Sequence, residues 1–165
     1  MEYKGTLDLK SKIITGFVGV LFLVITVYNF KLIDFKAGDT TQTTILTLTT
    51  VLIVSIFIFC YLYRPIKYVV DKNKVIVKRP INDLIIDLNN IKDAFLPTKE
   101  SMKWTIRTFG NGGLFGYFGK FRNGTYGGMT WYATKTSNYL IIVTKDNDKI
   151  VLTPDDTGMI NEFKK

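Results

Sequence analysis

The sequence predicts a two-helix transmembrane hairpin followed by a mainly β domain, an antiparallel sheet or barrel with a C-terminal helix. Two long stretches without a charged residue predict the helices. Short runs of β-branched and aromatic residues, separated by turn residues, predict the strands. We therefore expect three regions: an N-terminal segment at 1–12, a membrane hairpin at 13–63 and a folded domain at 64–165.

The first uncharged stretch runs from Ile13 to Phe30, between Lys12 and Lys31. As a helix it would extend about 27 Å, close to the thickness of the hydrocarbon core of a bilayer. Most of its residues are Ile, Val, Leu or Phe, each favouring the bilayer by about 0.3 to 0.6 kcal/mol. A cleavable signal peptide would need a shorter apolar run followed by small residues, and a charged segment follows instead. We predict a membrane helix over about 13–31.

The second uncharged stretch predicts a helix over about 40–63. Its early turns are rich in threonine, whose hydroxyl can bond back to a carbonyl one turn earlier and so survive in lipid. The alternative is that both helices form the core of a soluble protein. Core helices need not be apolar on every face, and the rest of the chain is too small to cover them, so we favour the membrane.

Basic residues flank the two helices unequally. The cations before the first helix are Lys4, Lys10 and Lys12; those after the second are Arg64, Lys67, Lys72 and Lys74; those in the connection are Lys31 and Lys36. Because cytoplasmic flanks carry the excess of Lys and Arg, both termini should be cytoplasmic. We expect a multi-pass protein of the cell inner (plasma) membrane, with its folded domain in the cytosol.

Composition limits the chemistry of the chain. It has no histidine and a single cysteine, Cys60. Ser/His and Cys/His nucleophile systems, most transition-metal sites and internal disulfides are therefore excluded. We expect no catalytic residues, no metal and no cofactor. The net charge of +8 would suit an anionic membrane surface, an acidic protein or nucleic acid. Attachment to a bilayer favours the first, and we expect no nucleic-acid partner.

The second part of the chain shows a strand pattern with explicit turns. Strands are predicted at 67–71, 75–78, 84–87, 91–96, 103–107, 130–134, 139–144 and 149–152. Turn residues lie at 71–74, 123–124 and 146–148. At the end, Thr153 as an N-cap, Pro154 and two acids predict a short helix with Met159, Ile160 and Phe163 on its inner face.

Six short motifs are spread over nearly the whole of this second part. They are Arg64-Pro65, Tyr68-Val-Val-Asp71, Lys78-Arg79-Pro80, the Arg-x-Phe-Gly and glycine-aromatic run at 107–119, Tyr132-Ala-Thr134 and Thr153-Pro-Asp-Asp156. Together they resemble bacterial PH-domain membrane proteins, in which two membrane helices precede a pleckstrin-homology-like (PH-like) domain. The resemblance implies a PH-like fold and no established activity, because the family is largely uncharacterised.

The glycine-aromatic run has several interpretations. A phosphate-binding loop would need glycine where Phe115 stands and a following helix, so nucleotide binding is disfavoured. One remaining interpretation is a structural hairpin or core plug, in which glycines permit close backbone approach. The other is an exposed aromatic and basic surface that contacts headgroups or a partner. That surface would contain Trp104, Phe115 and Phe118 beside Lys103, Lys120 and Arg122.

Four cations surround the first predicted hairpin of the domain: Lys72, Lys74, Lys78 and Arg79. PH-like domains that bind inositol phosphates place their cations in this region, which makes these residues candidates for a lipid headgroup site. The turn is very short, however, and the alternative is a solvated basic face beside an anionic leaflet.

Two acidic pairs have simpler interpretations than catalysis. Asp146 and Asp148 lack the glycine and distal glutamate of a calcium loop, so we expect a hairpin turn. Asp155 and Asp156 are interpreted as helix-capping residues rather than a catalytic acid pair.

These observations predict a non-catalytic interaction or scaffolding module at the cytoplasmic membrane face. The expected partners are the lipid bilayer, a second copy in a homo-oligomer and an unidentified protein. One alternative is a domain that binds anionic lipid headgroups, and the other is a membrane enzyme that uses carboxylates or tyrosine without histidine.

Overall fold

Two apolar helices precede a β domain in the computed structural model, which describes residues 1–32 and 40–163. The helices are α1 (Leu9–Leu32) and α2 (Thr40–Leu62). Both are long and apolar enough to cross a membrane, and about 6% of each apolar window is buried by protein. A core helix of a soluble protein is mostly buried, so these surfaces are those of candidate membrane spans.

Several polar side chains of the helices form hydrogen bonds within the helix pair. The hydroxyls of Thr44 and Thr49 donate to carbonyl oxygens one turn earlier, at 2.7 and 2.8 Å. The buried amide of Asn29 donates to the hydroxyl of Thr50 at 3.0 Å and so links the two helices. These bonds are the ones that the threonine-rich pattern predicts for a helix in lipid.

The first helix begins four residues before its predicted start. The Asp8 carboxylate accepts a hydrogen bond from the backbone N–H of Ser11 at 2.8 Å, and the Asp8 carbonyl accepts one from the N–H of Lys12. Asp8 is therefore the N-cap. The sequence prediction began the helix after its last flanking charge, whereas the first turn of α1 includes two lysines.

The remaining chain forms two sheets. The strands are β1 (Glu2–Lys4), β2 (Lys67–Asp71), β3 (Lys74–Lys78), β4 (Leu84–Asp87), β5 (Ile91–Phe95), β6 (Ile106–Gly113), β7 (Gly116–Asn123), β8 (Gly127–Ala133), β9 (Leu140–Thr144) and β10 (Lys149–Leu152). The first sheet has the order β1-β2-β3-β4, and the second has the order β5-β9-β10-β8-β7-β6. Neighbouring strands are antiparallel except β8 and β10, which are parallel.

The main core joins both sheets to the C-terminal segment. It contains Tyr68, Val75, Val77, Leu140, Ile142, Leu152 and Met159, all fully buried. The Tyr68 hydroxyl donates to the Tyr132 carbonyl at 2.8 Å and accepts from the Thr153 N–H at 3.2 Å. Burial raises the pKa of Tyr68, so its phenol remains neutral in the core. A second cluster around Trp131 covers the other face of the six-stranded sheet.

The N-terminal segment belongs to the folded domain, which the sequence analysis did not predict. Tyr3 of β1 pairs with Tyr68 of β2, and the amino group of Met1 donates to the Val70 carbonyl. The N–H of Asp155 donates to the Lys4 carbonyl at 2.9 Å. A three-residue strand carries too little periodicity to be read from sequence. The helix pair is therefore inserted between the first and second strands of one domain.

Two other expectations were wrong in detail. The strand expected at 103–107 is β6, which begins at Ile106, because 101–104 form turns. The C-terminal helix is a 3₁₀-helix over Thr157–Phe163, although Met159 and Ile160 are buried as predicted. Thr153 does not cap it, since the Thr153 hydroxyl accepts the Thr134 N–H at 2.8 Å. Asp156 accepts the Gly158 N–H at 2.7 Å and takes the capping role instead.

Asp155 connects the N-terminal segment to the domain and gives stability a defined pH dependence. Its carboxylate accepts from the Thr6 hydroxyl at 2.8 Å and from the Lys135 ammonium at 2.6 Å. Burial raises the pKa of Asp155, but the hydrogen bonds from Lys135 and Thr6 outweigh burial and hold it below the ordinary value. The ionised form therefore stabilises the fold above about pH 4, and that stabilisation is lost as pH falls through the lowered folded pKa.

We predict that Asp155→Asn lowers the unfolding temperature of the detergent-solubilised protein at pH 7. The difference in unfolding temperature between variant and parent should become smaller below about pH 4, where Asp155 of the parent also loses its charge. Thermal unfolding at several pH values measures both effects. Asp146→Asn, in an exposed turn, is the control and should follow the parent throughout. If Asp155→Asn lowers the unfolding temperature equally at about pH 3 and pH 7, the ionised Asp155 carboxylate is not the stabilising group.

Candidate functional site

The glycine-aromatic run forms a long hairpin, β6 and β7, at the outer edge of the six-stranded sheet. Leu114 and Phe115 lie at its tip, where Phe115 has a left-handed φ of 62°. The side-chain amide of Asn111 donates to the carbonyls of Leu114 and Gly116 and fixes this tip. These bonds hold Phe115 in a backbone conformation that such a turn would otherwise give to glycine.

Close approach of the two strands explains one pair of glycines. Gly110 and Gly119 lie opposite each other across the hairpin. A Cβ at Gly110 would come within 2.4 Å of the Phe118 carbonyl oxygen, and a Cβ at Gly119 within 2.5 Å of that of Phe109. Both positions also have a positive φ. A side chain at either position would push the strands apart.

The hairpin tip is bonded to the first helix. The Ser11 hydroxyl donates to the Gly113 carbonyl at 2.7 Å, and the Phe115 N–H donates to the Thr15 hydroxyl at 2.8 Å. A Cβ at Gly113 would lie 2.7 Å from the Cδ1 atom of Ile14, and the positive φ of 137° at this position favours glycine. The two hydrogen bonds satisfy backbone groups of the turn that would otherwise be buried without a partner.

Aromatic rings join the same tip to the second helix. Phe115 packs edge-to-face on Phe57 and Tyr61, with ring centroids 5.0 and 5.5 Å apart. The Arg64 guanidinium lies 4.3 Å from the centre of the Tyr61 ring and 5.6 Å from that of Phe115. Phe118 is buried in the same cluster. The tip therefore plugs the space beside both helices, where aromatic and cation–π contacts add to apolar burial.

Burial of Phe115 and Phe118 decides between the two interpretations of the glycine-aromatic run. Their exposed fractions are 9% and 7%, so neither side chain is open to a headgroup or a partner. At these two positions the structural plug is the correct interpretation, and the exposed surface is wrong. The physical reason is that the tip finds apolar helix surface within its own chain.

Exposed side chains farther from the tip form a basic-apolar face on the same side of the hairpin as Phe118. Cross-strand partners share one face of a sheet, and the two exposed pairs are Ile106 with Arg122 and Phe109 with Lys120. Ile106 is 63% exposed and Phe109 is 76% exposed. We call these four residues the basic-apolar face; it contains the predicted Lys120 and Arg122.

Trp104, the other aromatic residue predicted at the site, lies apart from that face. It is 91% exposed, has a positive φ of 57° and lines a cavity with Tyr117 and Phe121. Tyr117 and Phe121 are on the opposite side of β7 from Lys120 and Arg122, because side chains alternate along a strand. Lys103, at the neighbouring position, pairs with Glu100 at 3.5 Å.

The four cations of the first hairpin do not converge. Lys72 and Lys74 lie at the β2–β3 turn, whereas Lys78 lies at the other end of β3, about 13 Å away along the strand. Lys78 pairs with Asp83. Arg79 donates to the Asn82 carbonyl, and its guanidinium lies 5.5 Å from the centre of the Tyr63 ring. Lys78 and Arg79 are thus beside the end of α2, and Lys72 and Lys74 are not.

The remaining acidic pair forms a turn, as expected. Asn147 has a φ of 62°, and the Asp148 N–H donates to the Thr144 hydroxyl at 3.1 Å between β9 and β10.

Within residues 1–32 and 40–163, no group of three or more His, Cys, Asp or Glu side chains could hold a metal ion.

The fold and the site define a class of protein: a PH-like domain attached to two helices that are long and apolar enough to cross a membrane. The model of the bacterial PH domain family matches residues 66–165, more than half of the chain. The chain therefore belongs to the bacterial PH domain family, which confirms the resemblance seen in the sequence. No curated protein and no solved structure matches it.

Sequence reasoning missed Ile106, Phe109 and Arg107. The predicted strand at 103–107 contained Ile106 and Arg107 but ended before Phe109, and it assigned none of the three to a face of the sheet. The alternation of β6 could be read only once the bulge between Arg107 and Phe109 was known.

We predict that Phe115→Ala lowers the free energy of unfolding by about 3 kcal/mol, since the ring is buried among Phe57, Tyr61 and Arg64. Thermal unfolding in detergent measures the effect. Phe109→Ala is the matched control and should cost less than about 0.5 kcal/mol, because Phe109 is exposed. Equal losses for the two variants would show that the tip does not dock on the helices in solution.

Proposed function

We propose that this chain is an interaction or scaffolding module at the cytoplasmic face of the inner (plasma) membrane. Its partner is a protein that binds the basic-apolar face and the open edge of β6. The helices anchor the module, and the hairpin tip holds the domain in a fixed orientation to them. The module performs no catalysis.

The observation that carries the proposal is that exposed apolar side chains gather on an edge strand. β6 is the outermost strand of its sheet and pairs only with β7 among the described residues. An open edge offers unpaired backbone groups to an added strand, and proteins usually protect such edges. Here Ile106 and Phe109 leave the edge apolar, while Lys120 and Arg122 favour acidic side chains on the incoming segment.

The location of the module is supported by the pairing of β1 with β2. These strands lie on either side of the helix pair in sequence, and they bond within one sheet. If α1 and α2 span the bilayer, Leu9 and Leu62 must therefore be on the same side of it. The excess of basic residues at these two ends favours the cytoplasmic side. Lys36, in the connection, lies outside the described residues.

The non-catalytic role is supported by the family and by the acids. PH domains are generally non-catalytic. A general acid needs a carboxyl group with a raised pKa. Two carboxyl groups among the described residues have a clearly shifted pKa. Hydrogen bonds from Lys78 and Arg79 lower that of Asp83, and hydrogen bonds lower that of Asp155 against the effect of burial. Neither suits the alternative of a membrane enzyme.

The lipid-headgroup alternative has less support than the protein partner. A phosphate site needs several donors that converge on one point. Lys72 and Lys74 are separated from Lys78 and Arg79 by the length of β3. Lys78 and Arg79 are also occupied by Asp83 and Asn82. These cations better suit a general attraction to an anionic leaflet.

Cysteine labelling tests the location. We predict that a single cysteine at Thr125, in the exposed β7–β8 turn, reacts with a membrane-impermeant maleimide only after the cells are permeabilised. A single cysteine at Ala37, between the helices, should react in intact cells. Cys60 is replaced by Ala in both variants. Reaction of Thr125→Cys in intact cells would overturn the cytoplasmic location.

Photocrosslinking tests the partner surface. We predict that p-benzoylphenylalanine in place of Phe109, in the full chain in its native membrane, gives a discrete protein adduct. Replacing Lys120 and Arg122 by Glu should reduce that adduct severalfold. The same probe in place of Ile85, 60% exposed on the edge strand β4, is the control and should give no such adduct.

The identity of the adduct separates the alternatives. A second protein supports the proposal, and an adduct of twice the chain mass assigns the surface to a homo-oligomer. Lipid adducts alone would replace the proposal by the headgroup alternative. The same protein adduct from Phe109 and Ile85 would reject β6 as the binding edge.

A further inference from the structure

A cavity of about 430 Å³ lies on the side of the hairpin opposite the basic-apolar face. It lies over β6, β7 and β8, beside the loop that precedes β9, and its volume is that of a small-molecule site. Gly112 of β6 leaves room for the cavity on the face that it shares with Tyr117 and Phe121 of β7. Gly112 lies on the cavity wall and has no positive φ, so the backbone itself does not require glycine there.

Aromatic residues form half of the wall. Trp131 stacks on Phe121 with ring centroids 4.4 Å apart and an angle of 18° between the planes. Tyr139 tilts against Trp131 at 5.5 Å. Trp104 stands at the same cavity, almost fully exposed and in a left-handed backbone conformation that is costly for a non-glycine residue. An apolar body could be held between these rings.

Two hydrogen-bond donors at the cavity are unused. Trp131 is 3% exposed, and its indole N–H has no acceptor among the described residues, which is uncommon for a buried donor. Arg107 extends over Gly112, where an added Cβ would lie 3.2 Å from the guanidinium nitrogen Nη1. In the described part of the chain, no carboxylate lies within 4.0 Å of Arg107. The buried indole N–H lacks an acceptor, and the exposed Arg107 guanidinium is open to one.

Asp8 lies near the cavity, and its carboxylate already accepts hydrogen bonds from groups of the protein. Asp8 accepts from the Thr136 N–H and hydroxyl, each at 3.1 Å, from the Ser11 N–H and from the Tyr117 hydroxyl. Burial, reinforced by Asp8, raises the pKa of Tyr117 and that of Tyr139 to about 12. Both phenols are therefore neutral at pH 7. Arg107 is then the charged group with free hydrogen-bonding capacity at this cavity.

We propose that the cavity binds an amphipathic anion, a small molecule with an apolar body and one carboxylate or phosphate. The apolar body lies against Trp131, Phe121 and Tyr139, and Arg107 receives the anion at the rim. Two kinds of molecule have this chemistry. One is a single-chain amphiphile from the bilayer, and the other is an aromatic acid from the cytosol. The cavity and the basic-apolar face are on opposite sides of β7, so this inference does not depend on the proposed partner.

The two tryptophans of the chain, Trp104 and Trp131, both line the cavity, so intrinsic fluorescence reports on it. The full chain in nanodiscs is titrated with octanoate and with 4-phenylbutyrate. Trp104→Phe leaves Trp131 as the single reporter. We expect a saturable change in Trp131 emission with at least one acid. Tighter binding of octanoate assigns the bilayer source, and tighter binding of phenylbutyrate assigns the aromatic acid.

Two variants test the site. Arg107→Gln should weaken binding at least about tenfold, because a charge-assisted bond is lost. Arg122→Gln, on the opposite side of the hairpin, is the matched control and should change the Kd less than twofold. Gly112→Ile should abolish binding by filling the cavity, and an unchanged circular dichroism spectrum and unfolding temperature would show that it folds.

Neutral and cationic analogues complete the experiment. Octanol should bind at least about tenfold more weakly than octanoate. The proposal is overturned if no acid gives a saturable change, if octanol binds as tightly as octanoate, or if Arg107→Gln binds like the parent. Tighter binding of octyltrimethylammonium than of octanoate would also overturn it, since the aromatic wall would then be a cation site.

Discussion

The contact between the β6–β7 tip and the helix pair determines how the rest of the molecule is arranged. Two hydrogen bonds, one from Ser11 and one to Thr15, tie the turn to α1, and Phe115 packs on Phe57 and Tyr61 of α2. Because the turn is buried against the helices, its backbone groups need protein partners. The contact therefore fixes the orientation of the hairpin relative to the two helices.

The N-terminal strand supplies the second constraint. A helix pair that follows β1 and precedes β2 has both ends fixed at one sheet, since Tyr3 and Tyr68 are paired. Asp155 strengthens the attachment of the N-terminal segment to the domain, because its carboxylate accepts hydrogen bonds from Thr6 and Lys135. The helix pair is thus an insertion in the domain rather than an addition before it. The first residues of the chain therefore contribute to the stability of the domain.

The hairpin also separates two surfaces that the sequence had combined. Lys120 and Arg122 point to one side with Ile106 and Phe109, whereas Arg107 and the cavity are on the other. Trp104, Lys120 and Arg122 are grouped in the sequence, where all three belong to one aromatic and basic segment. Alternation along β7 divides them, and a bulge in β6 sets which side each residue joins.

The sequence by itself determined the elements whose physical signal is local. Uncharged length predicted α1 and α2, alternation and turn residues predicted most strands, and the motifs at 107–119 and 153–156 indicated the family. Tertiary structure alone decided the pairing of β1, the burial of Phe115 and Phe118, and the separation of Lys72 from Arg79. These depend on contacts between residues distant in sequence, and a local pattern of hydrophobicity or charge does not specify which distant surface will cover it.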